Sequence, residues 1–86
     1  QEVEDNLAAA RLLDEAIVEQ TAAVAAAAEA ETIATNQYRA GTVSYLNVVT
    51  AQATHLAARR SVNDLLARRL LAAVLLAKNA GGGVGR

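Results

Sequence analysis

The sequence has no cysteine, proline, methionine, phenylalanine or tryptophan, and only two tyrosines and one histidine. Without cysteine there is no disulfide framework, and with a single histidine we expect no zinc site or other metal site. The lack of proline, and the position of four of the five glycines in the last six residues, leave little to interrupt secondary structure before position 80. Two tyrosines and a net charge of −1 also argue against a nucleic-acid surface.

Alanine is the commonest residue: the 86 residues include 22 Ala, 11 Leu and 9 Val. Such a chain can bring helices close together, but it cannot build a thick core. Its length corresponds to one small domain or to a piece of a larger one. No basic-then-apolar leader is visible, and no stretch of about 20 mainly apolar residues is present. We therefore expect neither a signal peptide nor a membrane-spanning helix in this segment.

Apolar residues recur at helical spacing on both sides of a single break. The first stripe is Val3, Leu7, Ala10, Leu13, Ile17, Val24 and Ala28, and the second is Leu46, Val49, Ala53, Leu56, Val62, Leu66, Leu70 and Val74. This pattern predicts a helix over 3–40, a turn over 41–43, a helix over 44–80 and a flexible glycine-rich tail over 81–86. The fold class is all-α, a long antiparallel, coiled-coil-like helical hairpin.

The turn has recognisable stop and start signals. Gly41 follows Arg39 and Ala40, as expected when a glycine takes the left-handed conformation just past a helix end that carries a cation. Val43 could then contact the last turn. Ser44 is a good N-cap, and Asn47 lies where a capping box would carry Glu or Gln.

The two halves of the chain carry opposite charge. Residues 1–40 hold eight acidic and two basic residues, a net charge of −6, whereas residues 41–86 hold one acidic and six basic residues, a net charge of +5. A reversal at the turn predicts the inter-helix ion pairs Asp14–Arg69, Glu15–Arg68 and Asp5–Lys78. Such pairs select register more than they stabilise, at about 0–1 kcal/mol each. Two unrelated solvated faces are the alternative.

The second helix is apolar on most sides from Val62 to Leu76, and one partner helix covers a stripe of only about 100°. The hairpin therefore either assembles with copies of itself or belongs to a larger helical wall. The start at Gln1 favours the wall.

No catalytic constellation is visible. His55 has no acid within one turn of its own helix, which favours an interfacial or solvent-facing histidine over a ligand or a base. Ser44 and Ser61 have no nearby base. The run Gly81–Gly83 lacks the strand and the lysine of a phosphate-binding loop. We therefore expect a protein that is not an enzyme and that carries no cofactor.

The turn itself is the most specific feature. The sequence from Tyr38 to Gln52, YRAGTVSYLNVVTAQ, resembles the second periplasmic hairpin of the TolC-like outer-membrane efflux proteins, where the pattern is close to YRxGxxxYLxVLDAQ. The opening QEVEDNL and the closing LLAKNAGGG are similar to that family's entry into and exit from the hairpin. The resemblance spans nearly the whole chain and is least specific in the alanine-rich shafts.

The resemblance implies a place in a transport assembly. Members of that family are homotrimers whose α-helical barrel crosses the periplasm and joins a periplasmic adaptor and an inner-membrane pump, so that drugs, metals or other small molecules leave the cell. This chain would be one hairpin of that barrel. It would lie in the periplasm, in a protein of the cell outer membrane.

The resemblance also implies roles for residues near the turn. The tip at which the adaptor docks would consist of Tyr38, Arg39, Ala40, Gly41, Thr42, Val43 and Ser44, and the channel entrance would be lined by Leu46, Asn47 and Thr50. Many relatives carry an acid at the positions of Asn47 and Thr50. A ring of three threonines, one from each protomer, would give a weaker cation-selective field than a ring of three acids.

Two other functions share the same periodicity. A stand-alone hairpin module could self-associate into a four-helix bundle without a transport role, and the length of the parent reading frame separates it from a channel. A membrane-surface amphipathic helix is disfavoured, because the first helix is acidic and such helices are usually rich in Lys and Arg.

Overall fold

The fold is a long antiparallel helical hairpin, which confirms the predicted class. The structure is a computed structural model that describes residues 2–82, with side chains described over 4–79. Helix α1 spans Glu2–Arg39 and helix α2 spans Tyr45–Gly82. The Cα atoms extend over 67 × 17 × 12 Å and give a radius of gyration of 19.3 Å. A compact chain of this length has a radius of gyration of about 12 Å, so the hairpin is a rod.

The helix ends differ slightly from the predicted ones. The helices α1 and α2 meet through residues 40–44, and α2 continues through Gly81 and Gly82, which the sequence assigns to a flexible tail. Glycine costs a helix about 1 kcal/mol relative to alanine but does not forbid it, so a glycine run is a weak stop signal where the preceding helix is long. The remainder of the predicted tail, residues 83–86, lies outside the described residues.

The chain reverses through a Schellman motif. Gly41 has a φ of +80°, the left-handed conformation that the sequence predicts there. Its N–H donates to the carbonyl of Tyr38 at 2.9 Å, and the N–H of Thr42 donates to the carbonyl of Gln37 at 2.9 Å. These two bonds satisfy carbonyls that the end of a helix otherwise leaves unpaired. The reversal thus follows from one glycine at the right position.

The contact between the helices is a heptad seam. In α1 the less exposed positions recur at 6, 10, 13, 17, 20, 24, 27, 31 and 34, with 16, 28 and 35 beside them, and in α2 at 48, 51, 55, 58, 62, 65, 69, 72, 76 and 79. The steps alternate between three and four residues, a mean of 3.5, which is the repeat of a left-handed coiled coil.

The core inside this seam is thin. Only Ala10, Ala27, Ala34 and Val48 are buried among the described residues, and no large side chain is fully enclosed there. The accessible surface of the chain is 6142 Å², against about 4,800 Å² for a compact globular protein of 8.9 kDa. The hairpin therefore leaves much of its apolar surface uncovered.

The apolar stripe predicted on α2 lies mostly off the seam. Of its eight residues only Val62 occupies a seam position, whereas Leu46, Leu56 and Leu70 are exposed. The seam instead uses positions such as Val48 and Leu65. Because α2 is apolar on several sides, several stripes fit the helical repeat, and spacing alone does not choose among them.

Candidate functional site

The tip of the hairpin is ordered by backbone and side-chain contacts. The hydroxyl of Thr42 donates to the carbonyl of Gln37 at 3.0 Å, beside the Schellman bonds. The ring centroids of Tyr38 and Tyr45 lie 5.2 Å apart with an interplanar angle of 62°, an edge-to-face arrangement that joins the end of α1 to the start of α2. The tip is therefore a defined surface rather than a loose connection.

The remaining tip residues are largely accessible. Arg39, Ala40 and Ser44 are exposed, and Val43 is half-buried. A Cβ atom built on Gly41 would meet no atom within 4 Å. Gly41 is thus required for its backbone conformation, and no other part of this chain packs against its Cα. Only a partner could make such a contact.

The start of α2 is capped by a backbone hydrogen bond. The N–H of Asn47 donates to the carbonyl of Ser44 at 3.1 Å. No side-chain hydrogen bond of Ser44 or Asn47 is found among the described residues, so the capping box that the sequence suggests is not formed there. An Asn side chain at this position is shorter than the Glu or Gln that completes the motif.

The three predicted entrance residues share an outward surface. Leu46, Asn47 and Thr50 are all exposed, and Leu46 is 68 % exposed. The intervening Val48 is 3 % exposed and faces the seam. The hydroxyl of Thr54 donates to the carbonyl of Thr50 at 3.0 Å. The side chains of the entrance residues therefore do not pack in the seam and are accessible to line a surface.

Of the predicted ion pairs, the structure brings one together. Arg69 Nε donates to Asp14 Oδ1 at 2.7 Å across the seam. Arg68 pairs instead with Asp64, one turn away on its own helix, at 3.1 Å. Within residues 4–79 neither Glu15 and Arg68 nor Asp5 and Lys78 form a contact of ion-pair length. The local i,i+4 partner replaces the cross-helix partner because it needs no particular inter-helix register.

The contact that sequence reasoning missed is between His55 and Glu31. The imidazole Nδ1 lies 2.7 Å from Glu31 Oε1, across the seam. The interpretation of His55 considered only acids on its own helix. A search across the hairpin, by the relation that pairs Asp14 with Arg69, leads to Ala28 and Glu29 and thus within one turn of Glu31.

A shallow groove opens along one side of the seam. It is lined by Thr21, Val24, Arg59, Val62 and Asn63. The groove contains a single cation and no acid, so it offers no pair of groups for proton transfer. The lining of the groove shows which positions of α1 and α2 face the same side of the hairpin.

The described residues contain neither a membrane-spanning helix nor a cluster of metal ligands. No helical stretch among residues 2–82 is both long and apolar enough to cross a membrane. In that same part of the chain, no three His, Asp or Glu side chains gather as ligands for a metal ion. The features that the hairpin presents at its surface are a tip and exposed apolar faces, both of which suit binding.

Comparison with known proteins adds no further assignment. No family model, curated protein or solved structure matches this chain.

Proposed function

We propose that this hairpin is a wall segment of the periplasmic tunnel of a TolC-like outer-membrane efflux channel. In this proposal the protein works as a homotrimer, an adaptor docks at the tip, and an inner-membrane pump drives drugs, metals or other small molecules through the tube. The observation that carries the proposal is the tip. The residues that resemble the family's turn coincide with the Schellman reversal at Gly41 and with the paired rings of Tyr38 and Tyr45.

The exposed apolar residues support the same role. A helix in a tube wall has a neighbour on each side and therefore needs two apolar faces. Both helices have apolar residues away from the seam, among them Leu12 and Ile33 on α1 and Leu56 and Leu70 on α2. Alanine at contact positions allows helices to approach near the short end of the 8–10 Å range. Weak alanine contacts would also let helices slide when the entrance opens.

The channel proposal is tested by ion selectivity. In a trimer of the full-length protein, Thr50→Asp adds three carboxylates at the entrance, and we expect the permeability ratio of K⁺ to Cl⁻ to rise. The measurement is the reversal potential of single channels in a KCl gradient across a planar bilayer. Ala53→Asp, an exposed position three residues further along α2, is the matched control and is expected to change the ratio less.

Docking at the tip is tested separately. In a strain whose only channel is the full-length protein, we expect Gly41→Val to raise ethidium accumulation, while Gly41→Asn, which tolerates the left-handed conformation, stays near wild type. Trimer levels are measured on gels of unboiled membranes. The proposal would be refuted if the full-length protein forms no channel. It would also be refuted if Thr50→Asp leaves ion selectivity unaltered and Gly41→Val leaves ethidium accumulation unaltered.

A stand-alone interaction module is the second candidate. It is favoured by the same uncovered surface, which a second hairpin could cover to give a four-helix bundle. The coding sequence upstream of Gln1 distinguishes the two. A reading frame that extends into an outer-membrane segment supports the channel, and a frame that encodes the hairpin alone supports the module.

A further inference from the structure

One side of the hairpin has an apolar surface that runs along both helices. The groove fixes its position, because Thr21 of α1 and Arg59 and Asn63 of α2 open to it. Residues that lie a heptad step from these positions, or one turn from Thr21, face the same way. The exposed large aliphatic residues among them are Leu7, Val18, Val49, Leu56, Leu66 and Leu70. We call this set, with the groove, the groove face.

The groove face is too apolar to be an ordinary solvated surface. Val18 is 71 % exposed and Leu70 is 67 % exposed, although both are large and aliphatic. Large apolar side chains that recur along one face in this way indicate an interaction site. Its length along the rod suits another rod better than a small ligand.

The uncovered surface of two chains leaves room for the area that a stable dimer buries. A compact protein of twice the mass exposes about 8,000 Å², whereas two separate hairpins expose twice 6142 Å². The difference, on the order of 4,000 Å², is an upper bound on what a dimer could bury. Stable interfaces need about 1,200–2,000 Å², so full compaction is not required.

Charge decides how the second copy lies. Two hairpins that pack face to face with two-fold symmetry have two options. If the axis lies across the helices, α1 packs on α1 of the copy and α2 on α2, and each contact brings together charges of the same sign. If the axis runs along the helices, α1 packs on α2 of the copy. The half of the chain that contains α1 carries −6 and the other half +5, so only the second option pairs opposite charges.

Side-chain size and height along the rod agree with this option. A rotation about an axis along the helices does not change the position of a residue along the rod. The α2 of the copy therefore lies beside α1 in the same register as the α2 of the same chain, and the Asp14–Arg69 bond fixes that register. That places Val18 near the copy's Leu66 and Leu70, and small Ala28 near its Leu56. At the edge of the interface Glu29 and the copy's Arg60 lie on the same side of the bundle, about 9 Å apart in height, or six residues of helix.

We propose that the groove face binds a second copy of this chain, with α1 against the copy's α2 and both tips at the same end. The product is a four-helix bundle in which acid-rich and base-rich helices alternate. This inference rests on the second candidate, the self-associating hairpin, to which it adds the face and the orientation, and it does not depend on the chain being part of a channel.

The orientation is tested with spin labels. The chain has no cysteine, so Ala40→Cys gives a single label beside the tip, at an exposed position. Distances between labels in the 86-residue chain are measured by pulsed dipolar spectroscopy, and the mass by analytical ultracentrifugation. With the tips together we expect a dimer with an Ala40-to-Ala40 distance of roughly 10–25 Å. A mixture of Ala40→Cys and Ala9→Cys chains should give a separation near 47 Å, about 31 residues of helix.

The surface is tested with matched variants. Leu56→Gln/Leu70→Gln removes two groove-face side chains and should abolish the dimer, whereas Leu46→Gln/Leu71→Gln removes two exposed leucines elsewhere and should leave it intact. Glu15→Lys/Glu29→Lys and Arg59→Glu/Arg60→Glu should each weaken self-association roughly tenfold, because each reverses four charges across the contacts between the two copies. A mixture of the two charge variants should restore it.

Three results would overturn the proposal. The first is a monomeric chain at about 200 µM, whether folded or not. The second is a dimer whose short distance joins Ala40 to Ala9, because the tips would then lie at opposite ends. The third is equal loss of dimer in the two leucine variants, because the interface would then not be the groove face.

Discussion

The imidazole of His55 joins α2 to α1 through a 2.7 Å contact with the carboxylate of Glu31, in the half of the seam nearer the tip. The two side chains are 23 % and 32 % exposed, so both are partly withdrawn from water. The hydroxyl of Thr35 donates to the backbone carbonyl of Glu31 at 2.8 Å, one turn further along α1. A polar layer therefore interrupts a seam that otherwise consists mainly of Ala, Val, Leu and Ile.

This polar layer is expected to specify register more than it stabilises the hairpin. Glu31→Ala and His55→Ala each leave one partly buried polar group without its partner, and each should lower the free energy of unfolding by about 1 kcal/mol. Replacing both residues with leucine should give a hairpin at least as stable as wild type, because desolvation offsets much of the attraction in such a pair. Urea unfolding followed by circular dichroism at a fixed chain concentration measures all three. A double variant less stable than either single one would contradict this view.

The Asp14–Arg69 bond is expected to be worth little in free energy. A double-mutant cycle with Asp14→Ala and Arg69→Ala should give a coupling of about 0.5 kcal/mol, because Asp14 is largely exposed. The coupling should fall in 1 M NaCl as screening increases. The Asp64–Arg68 pair within α2 is the matched control, with an expected coupling of about 0.3–0.5 kcal/mol. A coupling above about 2 kcal/mol would show that the cross-helix pair is a main source of stability.

Gly41 should be intolerant of substitution for conformational reasons alone. Because no atom lies within 4 Å of a Cβ built there, Gly41→Ala should cost about 1 kcal/mol through its φ of +80° and not through a clash. Gly41→Asn should cost less. Thermal unfolding of the 86-residue chain compares the two with wild type, and equal losses for Ala and Asn would argue against a purely backbone origin.

The seam should reject larger side chains where alanine is buried. Ala27 lies in the seam and Ala26, its neighbour, is exposed. We expect Ala27→Leu to lower the free energy of unfolding by about 1–3 kcal/mol, because the helices must move apart to accept it. Ala26→Leu should change it by less than about 0.5 kcal/mol. If both variants are equally stable, the helices do not pack closely at this height.

Asn79 is the one described residue with a buried, unpaired side-chain amide nitrogen, Nδ2. Asn79→Leu should raise the free energy of unfolding by about 1 kcal/mol beyond the gain in helix propensity, because an unsatisfied donor is replaced by an apolar group. Asn36→Leu, at an exposed position of α1, reports the propensity gain alone, about 0.5 kcal/mol. Equal gains in the two variants would mean that the Asn79 amide is satisfied by water.

The fold could be predicted because its signals are local. A proline-free chain with one glycine between two helical patterns has few alternatives, and Gly41 after Arg39 and Ala40 fixes where the chain turns. The contact of Asp14 with Arg69 follows from the same reversal. The reversal brings opposite charges at matching distances from the turn to the same height, although only this one of the three predicted pairs forms.

The choice of seam and of side-chain partners could not be predicted in the same way. In α2 the residues Leu46, Leu56 and Val48 all fit a helical repeat, and only the packing against α1 decides that Val48 is buried. Arg68 has an acid available on each helix, and the nearer one, Asp64, is its partner. Glu31 was missed because only acids on the helix of His55 were considered, and its partner lies on the other helix.

The heptad seam makes the length of this rod adjustable independently of its end. Seven residues inserted into α1, matched by seven at the same height in α2, would add roughly 10 Å and leave every existing layer and the tip in the same orientation. Insertions of three or four residues in both helices would instead rotate the tip about the long axis. Reach and recognition are therefore separable in this hairpin, so related chains could span gaps of different depth with the same end.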